Sequence, residues 1–147
     1  MPEDLKLESS SIYFSYLLKE VLTEAGSELW LKWPNDFYLD DKKIGGAITN
    51  MQGNLLICGI GMNLLEAPEP FGTLDLGIDR KEILEKFFKK LESRVSWKQI
   101  FRNYEVEFYK SRSYFTHLDE TRVSLEDAIL QSDGSIKCNG QRIFSLR

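Results

Sequence analysis

Apolar residues recur at Phe14, Leu17, Leu18, Val21, Leu22 and Ala25, which is the spacing of one face of an amphipathic helix. Ser9, Ser10 and Ser11 offer caps at its start. Gly26 suits the position just past its end, where a left-handed residue closes the last turn. The pattern then changes to strands. Residues 29–33 form a short run that Pro34 ends, because proline lacks the donor a central strand needs. Phe37-Tyr38-Leu39 follows, then the polar turn Asp40-Asp41-Lys42. Residues 44–51 and 55–64 read as two more strands joined through Gln52-Gly53-Asn54, an antiparallel meander. Pro68 and Pro70 open a loop that runs to residue 78.

Two capping boxes come next. Asp79-x-x-Glu82 precedes Ile83, Leu84, Phe87, Phe88 and Leu91, and Ser96-x-x-Gln99 precedes Ile100, Phe101, Tyr104 and Phe108. They predict helices starting near residues 80 and 97. The short connection between them favours antiparallel neighbours. From Thr121 the pattern returns to strands. Asp133-Gly134 and Asn139-Gly140 are hairpin turn signals, which divide 123–131, 135–138 and 141–146 into a three-stranded meander.

The length of 147 residues allows one domain with a small appendage. With 42% hydrophobic and 29% charged residues, the chain can bury a core without disulfides or metal. A net charge of −4 argues against nucleic acid as the main partner. An anionic substrate would then depend on locally placed cations. No stretch approaches the length of an apolar membrane span, and the N-terminus has no apolar signal region, so no membrane partner and a cytoplasmic location are expected. Cys58 lies in an apolar run and reads as a small buried hydrophobe. His117, the single histidine, and the distant Cys58 and Cys138 cannot build a zinc site. His117 reads as a surface residue in a polar linker, and Asp40, Asp41, Asp75 and Asp79 as turn and cap residues.

Three clusters carry the candidate chemistry. The first is Lys32-Trp33-Pro34-Asn35-Asp36, where a strand end presents polar side chains. The second is Lys43-Ile44-Gly45-Gly46, a cation beside two positions where backbone can approach a ligand closely. The third is Cys58-Gly59-Ile60-Gly61-Met62-Asn63. Glycines two residues apart on a strand clear one face of it. No third glycine follows and no helix starts there, so this is not a dinucleotide fingerprint.

In this order the clusters resemble the core motifs of bacterial biotin protein ligases. The first string with its downstream lysine is specific within the biotin and lipoate ligase superfamily, and it is more similar to the biotin branch. The preceding helix, the two later helices and the ending Ile143-Phe144-Ser145-Leu146-Arg147 fit as well, so the resemblance covers nearly the whole chain. It implies an α+β fold, with a mixed or antiparallel sheet backed by helices. Residues 1–115 would be part of a catalytic domain and 116–147 a reduced SH3-like β segment. It also implies ATP and Mg²⁺, biotin as substrate, and a biotin carboxyl carrier protein as partner. Biotinyl-adenylate would form first, and a carrier lysine would then take the biotinyl group. By this resemblance Lys43 bridges the biotin carboxylate and the α-phosphate, and Lys32 helps hold the phosphates. Gly45, Gly46, Gly59 and Gly61 lie against the ligand, and Asn35 and Asn63 meet the adenylate. Asp36 assists the amine, by orienting it or by taking its proton.

The family's Gly-Arg-Gly-Arg loop and early biotin-contacting strand do not occur in this sequence, nor does a DNA-binding domain. The chain is therefore expected to be a C-terminal portion of such a ligase. It should bind biotin poorly, show little ligase activity and self-associate, with a homodimer one form of this. A non-catalytic remnant or dimerisation module of the same fold is the alternative, and a lipoate-type ligase the nearest enzyme rival.

Overall fold

Helix α1 (Ser10–Glu24) forms the centre of the computed structural model, which describes residues 1–118 and 120–145. Ile12, Tyr13, Tyr16, Leu17, Leu18, Val21 and Leu22 are all buried. That is more than the one face the periodicity predicts, because α1 packs against the sheet and against both later helices. Its end is as expected. Gly26 has φ +107, its N–H reaches the Thr23 carbonyl, and the Ser27 N–H reaches that of Leu22. Its start is not. Ser9 at the N-cap makes no side-chain cap. The three serines instead tie the helix to its surroundings. Ser9 Oγ donates to the Asp133 carbonyl, Ser10 Oγ to the Leu7 carbonyl and the Thr49 hydroxyl, and Ser11 Oγ to the Ser145 carbonyl. Buried hydroxyls need partners, and in this setting tertiary partners displace the local cap.

Four strands form one sheet in the order β1 (Trp30–Lys32), β2 (Asp36–Leu39), β3 (Lys42–Gln52) and β4 (Leu55–Met62). Every pairing is antiparallel. Asp40 and Gly53, both with positive φ, sit in the tight turns between β2, β3 and β4. Pairing slips between Phe37 and Tyr38, so Ile44 is the extra residue of a bulge and is fully buried. The outer edge of β1 is occupied: Glu107 accepts the Leu31 N–H and Ser111 Oγ the Trp33 N–H. No strand pairs with the outer edge of β4 among the described residues.

Helices α2 (Arg80–Glu92) and α3 (Trp97–Glu107) start where the capping boxes place them. The Asp79 carboxylate accepts the Lys81 N–H, and the Ser96 hydroxyl accepts the Gln99 N–H. Both pack on α1 rather than chiefly on each other. Only Ile83 of α2 is buried. Leu84 and Phe88 instead line an apolar groove of about 550 Å³, with Leu18 and the inward residues Leu56, Cys58 and Ile60 of β4.

The C-terminal strands differ in detail from the expected meander. Strands begin at β5 (Phe115–Leu118), which pairs with β6 (Thr121–Ser124). His117 is therefore an exposed strand residue opposite Arg122 rather than part of a linker. The expected strand over 123–131 is broken because Leu125 and Ala128 turn into the core. A second sheet follows, made of β7 (Ile129–Leu130), β8 (Ile136–Cys138) and β9 (Gln141–Ile143). Gly134, Asn139 and Gly140 adopt the positive φ that the turn signals require. Leu146 and Arg147, in the expected last strand and ending, lie outside the described residues. This segment is not a loose appendage. Its turn accepts the Trp33 indole N–H at the Gly134 carbonyl and the Trp97 indole N–H at the Ser132 carbonyl, each at 2.8 Å.

Candidate active site

The three clusters meet at one end of the four-stranded sheet. Asp36, Gly46 and Gly61 are successive cross-strand partners on β2, β3 and β4. The sheet register thus joins residues that are 25 positions apart in sequence.

Asp36 holds two cations. Lys43 Nζ lies 2.6 Å from its Oδ1, and Lys32 Nζ lies 3.3 Å from its Oδ2. Gly46 permits this, since a Cβ there would stand 3.1 Å from Oδ1. Lys32 is buried, with its ammonium 5.8 Å from the centre of the Tyr38 ring. Burial, with the Asp36 charge and Tyr114 adding to it, pushes the Tyr38 phenol up to about 12. Tyr38 is therefore a neutral wall at physiological pH. Two lysines and one aspartate leave one net positive charge, the local cation that an acidic chain needs to attract an anion.

Two other residues of the first cluster face inward. Trp33 is fully buried and hydrogen-bonded at both nitrogens. Asn35 is buried, its amide donates to the Ala47 carbonyl, and its own carbonyl accepts the Ala47 N–H at 2.9 Å. Asn35 thereby clamps the 33–36 turn onto β3.

Beside Lys43 lies a depression of about 370 Å³, lined by Lys43, Gly45, Gly46, Gly61, Asn63, Pro68 and Phe71. A Cβ on Gly61 would meet nothing within 4 Å, so this glycine keeps the floor bare. Gly45 has a different task. A Cβ there would stand 2.4 Å from the Gly61 carbonyl oxygen, so the close approach of β3 to β4 requires glycine. Gly59 pairs with Ile48 one pleat further along and does not line the depression. Lys32, Asn35 and Asp36 do not line it either.

Sequence reasoning missed the loop after β4 as part of this site. Asn63 Nδ2 donates to the Gly72 carbonyl at 3.0 Å, and the Gly72 N–H donates to the Lys43 carbonyl at 3.0 Å. These bonds hold Pro68 and the half-exposed Phe71 at the rim. An aromatic directly after two prolines, Pro68-Glu69-Pro70-Phe71, was the available signal, but nothing local says that the loop folds back to Lys43. The larger apolar groove is a separate feature, and Arg80 is its one charged lining residue. A Mg²⁺ ion would find no protein cage: among the described residues no three His, Cys, Asp or Glu side chains converge. Mg²⁺ commonly arrives on the phosphates of a nucleotide and needs few protein ligands.

The Biotin/lipoate A/B protein ligase family model matches residues 3–63, a stretch that ends on Asn63 and contains all three clusters. A Helicobacter pylori biotin acetyl coenzyme A carboxylase synthetase, solved with bound biotinylated ATP, superposes with a TM-score of 0.92 at 41% identity. The match covers 98% of this chain and 68% of that one. The chain belongs to the biotin protein ligase family. An Aquifex aeolicus biotin protein ligase, solved with biotin and ATP, matches 97% of the chain at 27% identity, covers 72% of that protein, and has a TM-score of 0.68. A biotin--[acetyl-CoA-carboxylase] ligase of Mycobacterium tuberculosis is 35% identical over 77 residues, which are 47% of this chain and 29% of that protein. Thus the chain spans about two thirds of the H. pylori biotin ligase structure, and its match spans under a third of the M. tuberculosis ligase. The structural likeness extends beyond residue 63 and includes the C-terminal sheets of the biotin ligase fold.

Proposed function

We propose that this chain carries the adenylation and acyl-transfer residues of a biotin–carrier-protein ligase. One observation carries the reading: the Lys43 ammonium stands at the rim of a glycine-floored depression, backed by a carboxylate and a second lysine. In the first step a biotin carboxylate oxygen attacks the α-phosphorus of ATP. A C–O–P linkage forms, the α–β P–O bond breaks, and pyrophosphate leaves. Bringing two unit negative charges to 4 Å at an effective dielectric of about 20 costs roughly 4 kcal/mol. Lys43, placed between them, reverses that repulsion, and Lys32 adds positive potential from beneath. Mg²⁺ held by the triphosphate would offset charge on the leaving pyrophosphate.

In the second step a carrier lysine nitrogen attacks the acyl carbon. The C–N bond forms, the C–O bond to phosphate breaks, AMP leaves with the electron pair, and the nitrogen loses a proton. Asp36 orients the amine, since a carboxylate is a weak base for this task. Gly46 and Gly61 let the adenylate lie flat, with Gly45 keeping the strands close and Gly59 extending the bare face. Asn63 holds the rim loop and meets the adenylate there, and Asn35 fixes the turn that carries Asp36. The relatives favour biotin over lipoate as the acid, because those described above are biotin ligases. The two free cysteines, and the lack of any helix long and apolar enough to cross a membrane among the described residues, fit a reducing cytoplasm.

The test is to incubate the purified chain with ATP, Mg²⁺, labelled biotin and a carrier domain. Label on the carrier lysine that disappears with Lys43→Ala supports the reading. Label that persists in Lys43→Ala removes the assignment of Lys43. No label from either protein is the outcome expected of a C-terminal portion of the ligase or of a non-catalytic remnant, and counts against turnover by this chain alone.

A further inference from the structure

Lys43 lines the depression and Asp36 does not. The Lys43 side chain is 38% exposed and that of Asp36 only 20%. Of the pair, the lysine is the one that faces the space proposed for the adenylate, and the carboxylate lies directly behind Gly46, where a Cβ would stand 3.1 Å from Oδ1. Its ammonium is 2.6 Å from Oδ1, while Lys32 takes Oδ2 at 3.3 Å. Both carboxylate oxygens are thus engaged by cations, and the cation on the open side is the one the first step uses.

We infer that Asp36 is an exchangeable counter-ion for Lys43, and that this exchange orders the two half-reactions; the inference rests on the ligase reading above. Anionic oxygens entering the depression draw the Lys43 ammonium off Oδ1. No covalent bond changes in this step, because one ion pair replaces another. The uncovered oxygen then receives the ammonium of the carrier lysine, a cation of the same type as the one that left. The ammonium gives up a proton to water, and the neutral amine, still hydrogen-bonded to Oδ1, attacks the acyl carbon as AMP leaves. Before adenylate forms, Lys43 occupies the oxygen that the incoming amine needs. After it forms, that oxygen is open. Asp36 is thus a positioning residue for Lys43 in the first step and an amine-binding residue in the second. The arrangement suppresses engagement of a carrier lysine by a site that has no acyl group to give.

The test is a double-mutant cycle with a non-hydrolysable biotinyl-adenylate analogue whose acyl–phosphate anhydride is replaced by a phosphodiester. Its affinity is measured by calorimetry for the unaltered chain, Asp36→Asn, Lys43→Ala and the double variant. Asp36→Asn should tighten binding about tenfold, because the competing anion is gone. In the Lys43→Ala background the same substitution should change affinity by less than about twofold. Transfer from preformed adenylate to the carrier should slow in Asp36→Asn by about a hundredfold. Weaker analogue binding in Asp36→Asn would mean that the carboxylate only shapes the site. Unchanged binding would mean that it never competes for Lys43. An equal gain in both backgrounds would mean a general field effect. Each of these results overturns the exchange. Failure of the unaltered chain to bind the analogue would instead sink the ligase reading itself, and the inference with it. Asp36→Ser removes the same charge and replaces Asp36→Asn in the cycle if the amide variant does not fold.

Discussion

Trp33→Phe tests whether the first motif is anchored by the C-terminal segment. Trp33 is fully buried, and its indole N–H donates to the Gly134 carbonyl at 2.8 Å across 101 residues of chain. Phenylalanine keeps an aromatic ring but removes the donor. The Gly134 carbonyl then loses a buried partner, which costs about 1–3 kcal/mol. Indole to phenyl also leaves a gap of roughly 35 Å³, worth about 1 kcal/mol at roughly 24 cal/mol per Å³. Together these destabilise the fold by about 2–4 kcal/mol. For a chain of this length that lowers Tm by roughly 6–15 °C. The assay is urea unfolding with thermal melts, followed by near-ultraviolet dichroism and fluorescence. Trp97→Phe is the comparison, because its indole bond to the Ser132 carbonyl is only partly buried, and its loss should cost less. A Trp33→Phe loss below about 0.5 kcal/mol would refute the reasoning, since a buried carbonyl cannot lose its donor so cheaply unless water enters. The Trp33 indole would then not be the link between the motif and the C-terminal sheet.

In a complete ligase that carries this segment, Lys43→Ala should reduce adenylate formation about a hundredfold, or roughly 3 kcal/mol of transition-state stabilisation, with Tm unchanged; pyrophosphate-exchange rates at the unaltered level would remove its role. Gly45→Ala and Gly61→Ala should separate fold from site. A Cβ at 45 meets backbone at 2.4 Å and should lower Tm, whereas one at 61 meets open space and should weaken analogue binding while leaving Tm alone. Equal Tm values for the two glycine variants would contradict this division. The last concerns acid. Burial alone would raise Asp75, but the Glu28 N–H and the Ser27 hydroxyl outweigh it and hold the group below its ordinary value of 3.8. A depressed carboxylate gives stability that is present above that ordinary value and is lost as pH falls through the lower folded one. Asp75→Asn should therefore cost stability at pH 7 and progressively less as pH falls below that ordinary value, and a urea-midpoint gap of the same size at pH 7 and in acid would count against it.

Much of the fold was legible because its signals are local. The helix starts at Asp79 and Ser96 follow from capping chemistry, and the end of α1 at Gly26 follows from glycine's freedom at positive φ. The β2–β3–β4 meander follows from alternation and turns, although the bulge that buries Ile44 has no local mark. Tertiary competition explains the errors. Ser9, Ser10 and Ser11 look like caps, but their hydroxyls are claimed by distant carbonyls and by Thr49. Leu125 and Ala128 break a run that reads as one strand, because the core takes both side chains. In the candidate site, the motif strings named the residues but not their division of labour. Asn35 looks like a presented amide and is an internal clamp, while Gly45 and Gly61 look alike and do opposite things. The Lys32–Asp36–Lys43 pairing and the return of the Asn63–Gly72 loop depend on sheet register and loop path, which sequence pattern does not carry.

The central claim is that the depression beside Lys43, and not the larger apolar groove, receives the adenylate. Amide chemical-shift mapping of the ¹⁵N-labelled chain, titrated with the non-hydrolysable biotinyl-adenylate analogue, tests this most directly. Saturable shifts are expected at Lys43, Gly45, Gly46, Gly61, Asn63 and Phe71, and they should be lost in Lys43→Ala. Shifts confined to Leu84, Phe88 and Cys58 along the groove, or shifts at the depression that persist unchanged without the lysine, would contradict it.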